Sequence, residues 1–221
     1  MAAVANAWMP GAGRIRGRTP GGTLQGGAPR AVWQTTESDP GALSARAVAQ
    51  RLDSDGGTAH LVWNPVTGET AQLLPATAAA LGQLALGGVD RAGEGRVCVL
   101  IQVVGHALLP FTDGPLIGLD AILRWLDSWE VPRCWPAGPP ATVPASYAQT
   151  GNERLWARGG HFGHSQVPES RAGGPGGIDP ERILGSAAPR QRPGPPQSDA
   201  APLPQVRHSR NGLRPHATAA P

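Results

Sequence analysis

The sequence contains no lysine, so all 19 of its basic residues are arginine. Together with 31 glycines and 24 prolines, this composition favours the codon usage of a GC-rich genome over selection for arginine chemistry. The basic charge is concentrated at residues 186–221, which hold five arginines and one aspartate. The rest of the chain has 14 arginines and 15 acidic residues, and it lacks the basic surface that nucleic-acid binding requires. We therefore expect no nucleic-acid partner.

Cysteine is scarce, and long apolar runs are missing. Cys98 and Cys134 do not have the CxxC spacing of structural zinc sites, and the sequence leaves open whether they pair. No apolar run approaches the ~20 residues of a membrane-spanning helix, so no membrane span is expected. The first residues, MAAVANAWMPGAG, lack the basic start and apolar stretch of a secretory signal. This predicts a cytoplasmic protein until lysis, a holin or another route releases it.

Composition divides the chain into three predicted regions. Residues 1–29 are rich in Gly, Pro and Arg, which is typical of a flexible lead-in. Residues 30–185 alternate apolar segments with turn residues and are long enough for one domain with its own core. Residues 186–221 contain almost no large apolar side chain, which predicts a disordered Pro-, Ala- and Arg-rich tail.

Strands are predicted at four places in the central region. Residues 30–36 form a short β-prone run, and 96–104 are so apolar that they should form a buried central strand. Residues 58–63 and 69–74 flank a turn, which predicts a β-hairpin.

Two longer helices are predicted from apolar stripes. The first begins at Ser38-Asp39-Pro40, where an N-cap acceptor precedes a proline, and ends at residues 55–57. The second lies within 115–131. A separate short helical turn is predicted at 179–184, with Asp179 as its N-cap. The stripes comprise Leu43, Ala47, Val48 and Leu52 in the first helix and Leu116, Leu119, Ile122, Leu123 and Leu126 in the second. Strands interleaved with helices predict an α/β fold with a mixed central sheet.

Four stretches of the chain carry a resemblance to a known family. They are VWQTTES at 32–38, the hairpin at 59–72, the apolar strand at 97–105 and GHFGHSQVPE at 160–169. Their order, over about 30–184, resembles the zinc-dependent N-acetylmuramoyl-L-alanine amidases, most of all the lysin-type proteins of actinobacteria and their phages. The resemblance implies the fold shared with peptidoglycan recognition proteins, a mixed sheet flanked by helices. It also implies cleavage of the amide between the muramic acid lactyl group and L-alanine.

The resemblance further implies where a zinc site would lie. In the family, two histidines and an anionic third ligand hold zinc, which polarises the carbonyl and acidifies a water. Position by position, it assigns the three ligands to Gln34, His164 and Gly174. Of these only His164 can coordinate zinc well, because glutamine is not a usual ligand and glycine has no side chain. The catalytic glutamate falls on Gln102, whose amide cannot act as a general base, and Ala172 stands where some members carry lysine.

Other candidate site residues have competing structural explanations. His161 could replace a lost zinc ligand if its segment turns helically and brings it beside His164. His60 lies on a predicted strand, where a packed or hydrogen-bonded histidine is favoured over a substrate-binding one. Trp135 and Trp156 lie on predicted loops, and both core packing and a substrate-binding groove are compatible with them.

Three functions are compatible with these observations, and whether the chain is an enzyme stays open. It could be an amidase whose activity is weakened or lost because its zinc ligands are changed. It could be a non-catalytic module that binds peptidoglycan or a muropeptide in the same cleft. It could also be a decayed copy of a family gene. A monomer is expected in each case.

Overall fold

A computed structural model describes residues 5–15, 21–86, 89–142, 151–170 and 174–185. These residues all belong to one of the two units into which the chain divides, Met1–Gln191. The predicted tail at 186–221 and the position of Ala172 lie outside the described residues. Within the described part of the chain, no helix has the length and apolar character needed to cross a membrane.

A six-stranded mixed sheet forms the centre of the structure. In chain order the strands are β1 (Gly13–Arg14), β2 (Arg30–Thr35), β3 (Leu61–Trp63), β4 (Thr70–Gln72), β5 (Ala85–Leu86), β6 (Val89–Asp90), β7 (Cys98–Val103) and β8 (Gly160–Gly163). The spatial order of the sheet is β1-β4-β3-β7-β2-β8, and β5 and β6 form a separate antiparallel ribbon. Strands β3, β7, β2 and β8 run parallel, whereas β3 and β4 are antiparallel. The predicted mixed sheet is confirmed, and the apolar strand β7 has a neighbour on each side.

The predicted hairpin is also confirmed. β3 and β4 pair with Trp63 opposite Thr70. The turn between them depends on Asn64, whose side-chain oxygen accepts hydrogen bonds from the backbone N–H groups of Val66 at 2.9 Å and Thr67 at 3.2 Å. An asparagine that bonds the backbone just ahead of itself stabilises a turn locally, which is why the sequence alone indicates this hairpin.

Helices cover both faces of the sheet. They are α1 (Ala45–Ser54), α2 (Leu119–Ser128), α3 (Glu153–Trp156) and α4 (Pro180–Leu184). Every side chain of the stripe predicted for α2 is buried, in a cluster that includes Trp33 and Trp63. α1 packs with Val62, on the other face, because consecutive residues of a strand point to opposite sides.

The first helix starts later in the chain than predicted. Its N-cap is Ser44, whose hydroxyl accepts the backbone N–H three residues on at 3.1 Å. Asp39 instead closes a turn by accepting the N–H of Gly41 at 2.8 Å, and Ser38 donates its hydroxyl to a nearby carbonyl oxygen. Both the Ser38-Asp39 segment and Ser44 offer side-chain acceptors that suit an N-cap, and the helix begins directly after Ser44. The predicted end is confirmed, since Asp55 is the C-cap.

The N-terminal segment packs against the sheet, which corrects the expectation of a flexible lead-in over 1–29. β1 pairs in parallel with β4. The Trp125 indole donates to the Asn6 carbonyl oxygen at 2.8 Å, and the backbone N–H of Met9 donates to the side chain of Gln72 at 2.6 Å. The described residues of this segment are anchored by partners far along the chain, which composition does not reveal.

The two cysteines are both free. Cys98 is buried on β7, and burial raises the pKa of its thiol to about 12. It therefore behaves as the small buried hydrophobe that its apolar surroundings predict. Cys134 is exposed.

Candidate functional site

A cleft of about 440 Å³ opens at the carboxyl-terminal end of β2 and β7. One wall is the end of β2, including Gln34, with the residues that follow it, and another is one face of α1. Gln83 and Gln102 complete the lining. Ligands of α/β sheets commonly bind outside the carboxyl ends of parallel strands, because the loops that follow the strands converge there. This cleft is therefore the place to look for a functional site.

Gln34 and Gln102 lie side by side in the cleft. They are partners in the parallel register of β2 and β7, so their side chains project from the same face of the sheet. The Gln102 amide nitrogen donates to the Gln34 amide oxygen at 3.1 Å. The remaining amide groups, the nitrogen of Gln34 and the oxygen of Gln102, make no hydrogen bond to any residue that the structure describes.

The other two positions that the amidase resemblance assigns to a metal lie beside this pair. His164 directly follows β8, which pairs with β2 as far as the residue before Gln34. A Cβ atom placed on Gly174 would lie 3.7 Å from the Cγ atom of Gln34. The backbone N–H of Ser165 donates to the Gly174 carbonyl oxygen at 3.1 Å, which holds the two segments together. Positions 34, 102, 164 and 174 thus lie on neighbouring segments, and of the four, Gln34 and Gln102 line the cleft.

His164 is a neutral imidazole. The side chain is buried, and burial lowers its pKa to about 4, while a hydrogen bond involving the backbone of Gln83 acts in the opposite direction. Its Nδ1 atom has no hydrogen-bond partner within the described part of the chain. A neutral imidazole with an unused nitrogen is the form that binds metals, so His164 has the chemistry of a metal ligand.

The remaining positions do not fit a zinc ion. A catalytic zinc needs three protein ligands drawn from His, Cys, Asp and Glu. Across the described ranges, no three such side chains come close enough together to hold a metal. The Gln34 and Gln102 amides bond to each other, and Gly174 has no donor group. Gly174 also has a φ of 85°, a left-handed conformation that disfavours most side chains. Of the four assigned positions, only His164 therefore carries a usual zinc ligand.

His161 lies on the opposite face of the sheet, which corrects its assignment as a substitute zinc ligand. The Trp33 indole donates to its Nδ1 atom at 3.1 Å. Its ring stacks between those of Trp33 and Trp135, with centroid distances of 6.0 and 6.1 Å. The segment is a strand and not a helix, so a residue three positions before His164 faces away from the cleft.

His60 has a structural role, which corrects its assignment to substrate binding. It is completely buried, and its Nδ1 atom accepts the backbone N–H of Leu100 at 3.0 Å. Its Nε2 atom lies 2.8 Å from the carbonyl oxygen of Ala78. One ring nitrogen accepts and the other donates, so the ring is neutral, and burial lowers its pKa to about 4. Both nitrogens are used within the fold and neither is available to a ligand.

Trp135 and Trp156, both predicted to lie on loops, differ in their surroundings, and Trp156 is the last residue of α3. Trp156 is 1% exposed, donates its indole N–H to Glu94 at 2.6 Å and packs under the Arg30 guanidinium, so the substrate-binding assignment is corrected to core packing. Trp135 is half-buried and donates to the Gln166 side chain at 2.7 Å. It lines a second cavity of about 430 Å³ that it shares with α4. Trp135 therefore lies in the wall of a groove, but not in the wall of the cleft.

The sequence analysis missed Glu37, which lines the cleft. Its φ is 50°, a left-handed conformation that is uncommon outside glycine and is concentrated at functional sites. Its carboxylate accepts the Thr35 hydroxyl at 2.6 Å and the backbone N–H of Ala107 at 3.0 Å, and lies 3.7 Å from His106 Nδ1. These contacts join the end of β2 to a loop about seventy residues away, so no local pattern could have indicated them.

No protein-family model matches the sequence, and no curated protein matches it. Several solved structures have a similar fold. One is the endolysin N-acetylmuramoyl-L-alanine amidase LysCS from Clostridium intestinale, with 14% identity, a TM-score of 0.47, and coverage of 81% of this chain and 96% of that chain. Another is an AmpD derivative, with 16% identity, a TM-score of 0.45, and coverage of 84% and 99%. The hydrolase AmiA from Staphylococcus aureus has 10% identity, a TM-score of 0.47, and coverage of 82% and 88%. In fold, the chain is similar to solved structures of an N-acetylmuramoyl-L-alanine amidase, a phage endolysin and a PGRP.

Proposed function

We propose that this protein belongs to the amidase and peptidoglycan recognition protein family and binds the peptide stem of peptidoglycan in its cleft without cleaving it. One observation supports this proposal above all. The positions that the resemblance assigns to zinc and to catalysis, 34, 102, 164 and 174, lie on neighbouring segments at the end of the sheet where the cleft opens, yet they hold two glutamines, a histidine and a glycine. These four positions lack the set of ligands and the base that the resemblance implies for hydrolysis.

Amide hydrolysis needs a group that activates water and one that takes a proton. Gln102 cannot do the latter, because a carboxamide has no basic form near neutral pH. His164 is a poor general base on its own, since its pKa is about 4. Binding does not need these groups, and a cleft of this volume lies within the usual range for small-ligand sites.

A second candidate is a weakened amidase of the same family. The observation that favours it is the buried Nδ1 atom of His164, which is unpartnered among the described residues and free to coordinate. Under this alternative, zinc would be recruited by His164 with ligands from water or substrate, and turnover would depend on added metal.

The two candidates separate in a co-sedimentation experiment with insoluble peptidoglycan, run with added zinc and with a chelator. We expect equal binding in both conditions and no release of new amino termini from the peptidoglycan. Zinc-dependent release of amino termini would support the weakened amidase. A chain without folded circular dichroism and without binding would instead indicate a decayed copy.

A pair of matched variants tests whether the cleft is the binding surface. Ala47→Trp places a large side chain into the cleft from the exposed face of α1, whereas Gln50→Trp adds the same side chain to α1 outside the cleft. We expect Ala47→Trp to abolish co-sedimentation and Gln50→Trp to leave it unchanged. Equal binding by both variants would refute the assignment of the cleft.

A further inference from the structure

We propose that Gln34 and Gln102 together form a metal-independent binding site for the N–H and C=O groups of one neutral amino-acid residue that lies between two amides. The proposed function identifies that residue as part of the cell-wall stem peptide, and to that extent this inference rests on it. The site itself follows from the chemistry of the two side chains. In this proposal, the amide pair substitutes for a metal as the element that orients the ligand.

The two side chains present one donor and one acceptor to the same cleft. Gln102 uses its amide nitrogen on Gln34, which leaves the Gln102 oxygen and the Gln34 nitrogen without a partner among the described residues. Gln102 is only 4% exposed as a whole, but its oxygen is not among the buried side-chain atoms that lack a partner, so it is open to the cleft. A ligand that covers this oxygen must therefore donate a hydrogen bond to it or leave it unsatisfied, which is costly.

One residue flanked by two trans amides satisfies both atoms, because its own N–H and C=O point to the same side when its backbone is extended. Its carbonyl oxygen would accept from the Gln34 nitrogen, and its N–H would donate to the Gln102 oxygen. The two glutamines and the bound residue would then be joined by three hydrogen bonds, and bonds in such a network polarise one another favourably. Because ligand and site have the same functional group, their donors and acceptors match one to one.

Charged ligands fit this pair poorly. A carboxylate could accept from Gln34, but it would face the Gln102 oxygen with no proton to donate. An ammonium group would satisfy Gln102, but it would face the Gln34 nitrogen with no acceptor. A site that leaves one of its polar groups unpaired rejects a ligand strongly. The selectivity does not depend on which way the amides are oriented, because turning both side chains exchanges the donor and the acceptor and keeps one of each.

The surroundings of the pair suit a small peptide. Leu43, just before α1, and Val48 and Leu52 of α1 provide an apolar wall that could receive a small side chain. Two charged residues that line the cleft, Arg51 of α1 and its C-cap Asp55, are strongly exposed and 3.8 Å apart, so they lie at the rim. The polar amide pair and the apolar wall together favour an acylated small amino acid over a free sugar.

The test uses N-acetyl-L-alanine methylamide as the probe, with full-length protein and a chelator present. Its control is the methyl ester of O-acetyl-L-lactic acid, in which oxygen replaces each N–H while the shape is nearly kept. Binding is followed by nuclear magnetic resonance, through the side-chain NH₂ signals of Gln34 and Gln102. We expect the probe to bind and to shift both signals, and the ester to bind about tenfold more weakly. Equal affinity for probe and ester, or binding that the chelator abolishes, would overturn the proposal, as would no binding by the probe.

Substitutions provide a second readout. We expect Gln34→Met and Gln102→Met each to weaken probe binding about tenfold, and Gln50→Met, on the exposed face of α1, to leave it unchanged. Gln102→Glu keeps the size of the side chain and covers the case in which Gln102→Met does not fold. It should also weaken binding, because a carboxylate beside the Gln34 oxygen disrupts the pair. Unchanged affinity in the folded variants would refute the amide site.

The two proposals fail differently. A protein that binds the probe selectively but does not sediment with peptidoglycan would overturn the proposed function and retain the amide site. A protein that sediments through its cleft but does not distinguish the probe from its ester would overturn the amide site alone.

Discussion

Introducing the ligands that the resemblance implies is the sharpest test of how this region is built. The triple variant combines Gln34→His, Gly174→Asp and Gln102→Glu, and together with His164 it places two histidines and two carboxylates on these neighbouring segments. If these side chains converge as the register of β2, β7 and β8 implies, the variant should bind one zinc ion. The unaltered protein should bind none at the same zinc concentration.

The structure also predicts the stability of this variant without metal. Gly174 has a left-handed φ of 85°, and a side chain in that conformation costs about 1–2 kcal/mol, toward the lower end for aspartate. A Cβ atom there would meet the Thr35 hydroxyl at 3.0 Å, so a small local shift is needed as well. Losing the hydrogen bond between Gln34 and Gln102 removes about 1 kcal/mol. The metal-free variant should therefore be about 2–3 kcal/mol less stable, which lowers Tm by roughly 4–12 °C in a domain of this size.

Zinc should reverse this loss. A ligand at about one hundred times its Kd stabilises the folded state by about 2.7 kcal/mol, which is close to the expected deficit. The assays are metal content after dialysis and thermal unfolding with and without zinc. Gln50→His is the matched control, because it adds a histidine to α1 outside the cleft. A folded triple variant that stays metal-free, with the same Tm in zinc and in chelator, would show that the ligand positions are misplaced.

Three further predictions concern stability. Burial lowers the pKa of His60 and His161 to about 4, below the ~6.5 of the unfolded chain. Each histidine should therefore contribute about 3 kcal/mol to the free energy of unfolding above pH 6.5, and this contribution is lost as the pH falls to about 4. Urea midpoints that do not change between pH 7 and 4.5 would contradict this. Ser44→Ala should destabilise the fold by about 1 kcal/mol through loss of the α1 N-cap, while Ser38→Ala should change the urea midpoint little. A larger effect of Ser38→Ala than of Ser44→Ala would instead show that the helix begins near Ser38, as predicted from the sequence. Truncation after Gly185 should leave Tm unchanged, and a large decrease would show that the tail packs on the domain.

Local patterns determined much of this fold. The apolar run at 96–104 predicted the central strand β7, because a strand buried on both faces needs apolar side chains throughout. The turn at Asn64 predicted the hairpin, and the stripe within 115–131 predicted α2. Asp179, followed by a proline, predicted the cap of α4. Each of these features depends on residues close together in the chain.

Features that depend on distant partners could not be predicted in the same way. The N-terminal segment has a composition typical of a flexible linker, yet Met9 finds its partner at Gln72. His161 and His164 look equivalent in the sequence, but the strand between them points His161 at Trp33 and away from the cleft. Only the pairing of the strands decides which face each side chain occupies.

The chain by itself determined which residue types stand at the positions that the resemblance marks: two glutamines, one histidine and a glycine. Tertiary structure decided that these positions lie on neighbouring segments, that the amides of Gln34 and Gln102 bond to each other, and that Gly174 is left-handed. The physical reason is that side-chain identity is local, whereas hydrogen-bond partners are set by strand register. Register brings residues 34 and 102 together across sixty-eight positions of sequence.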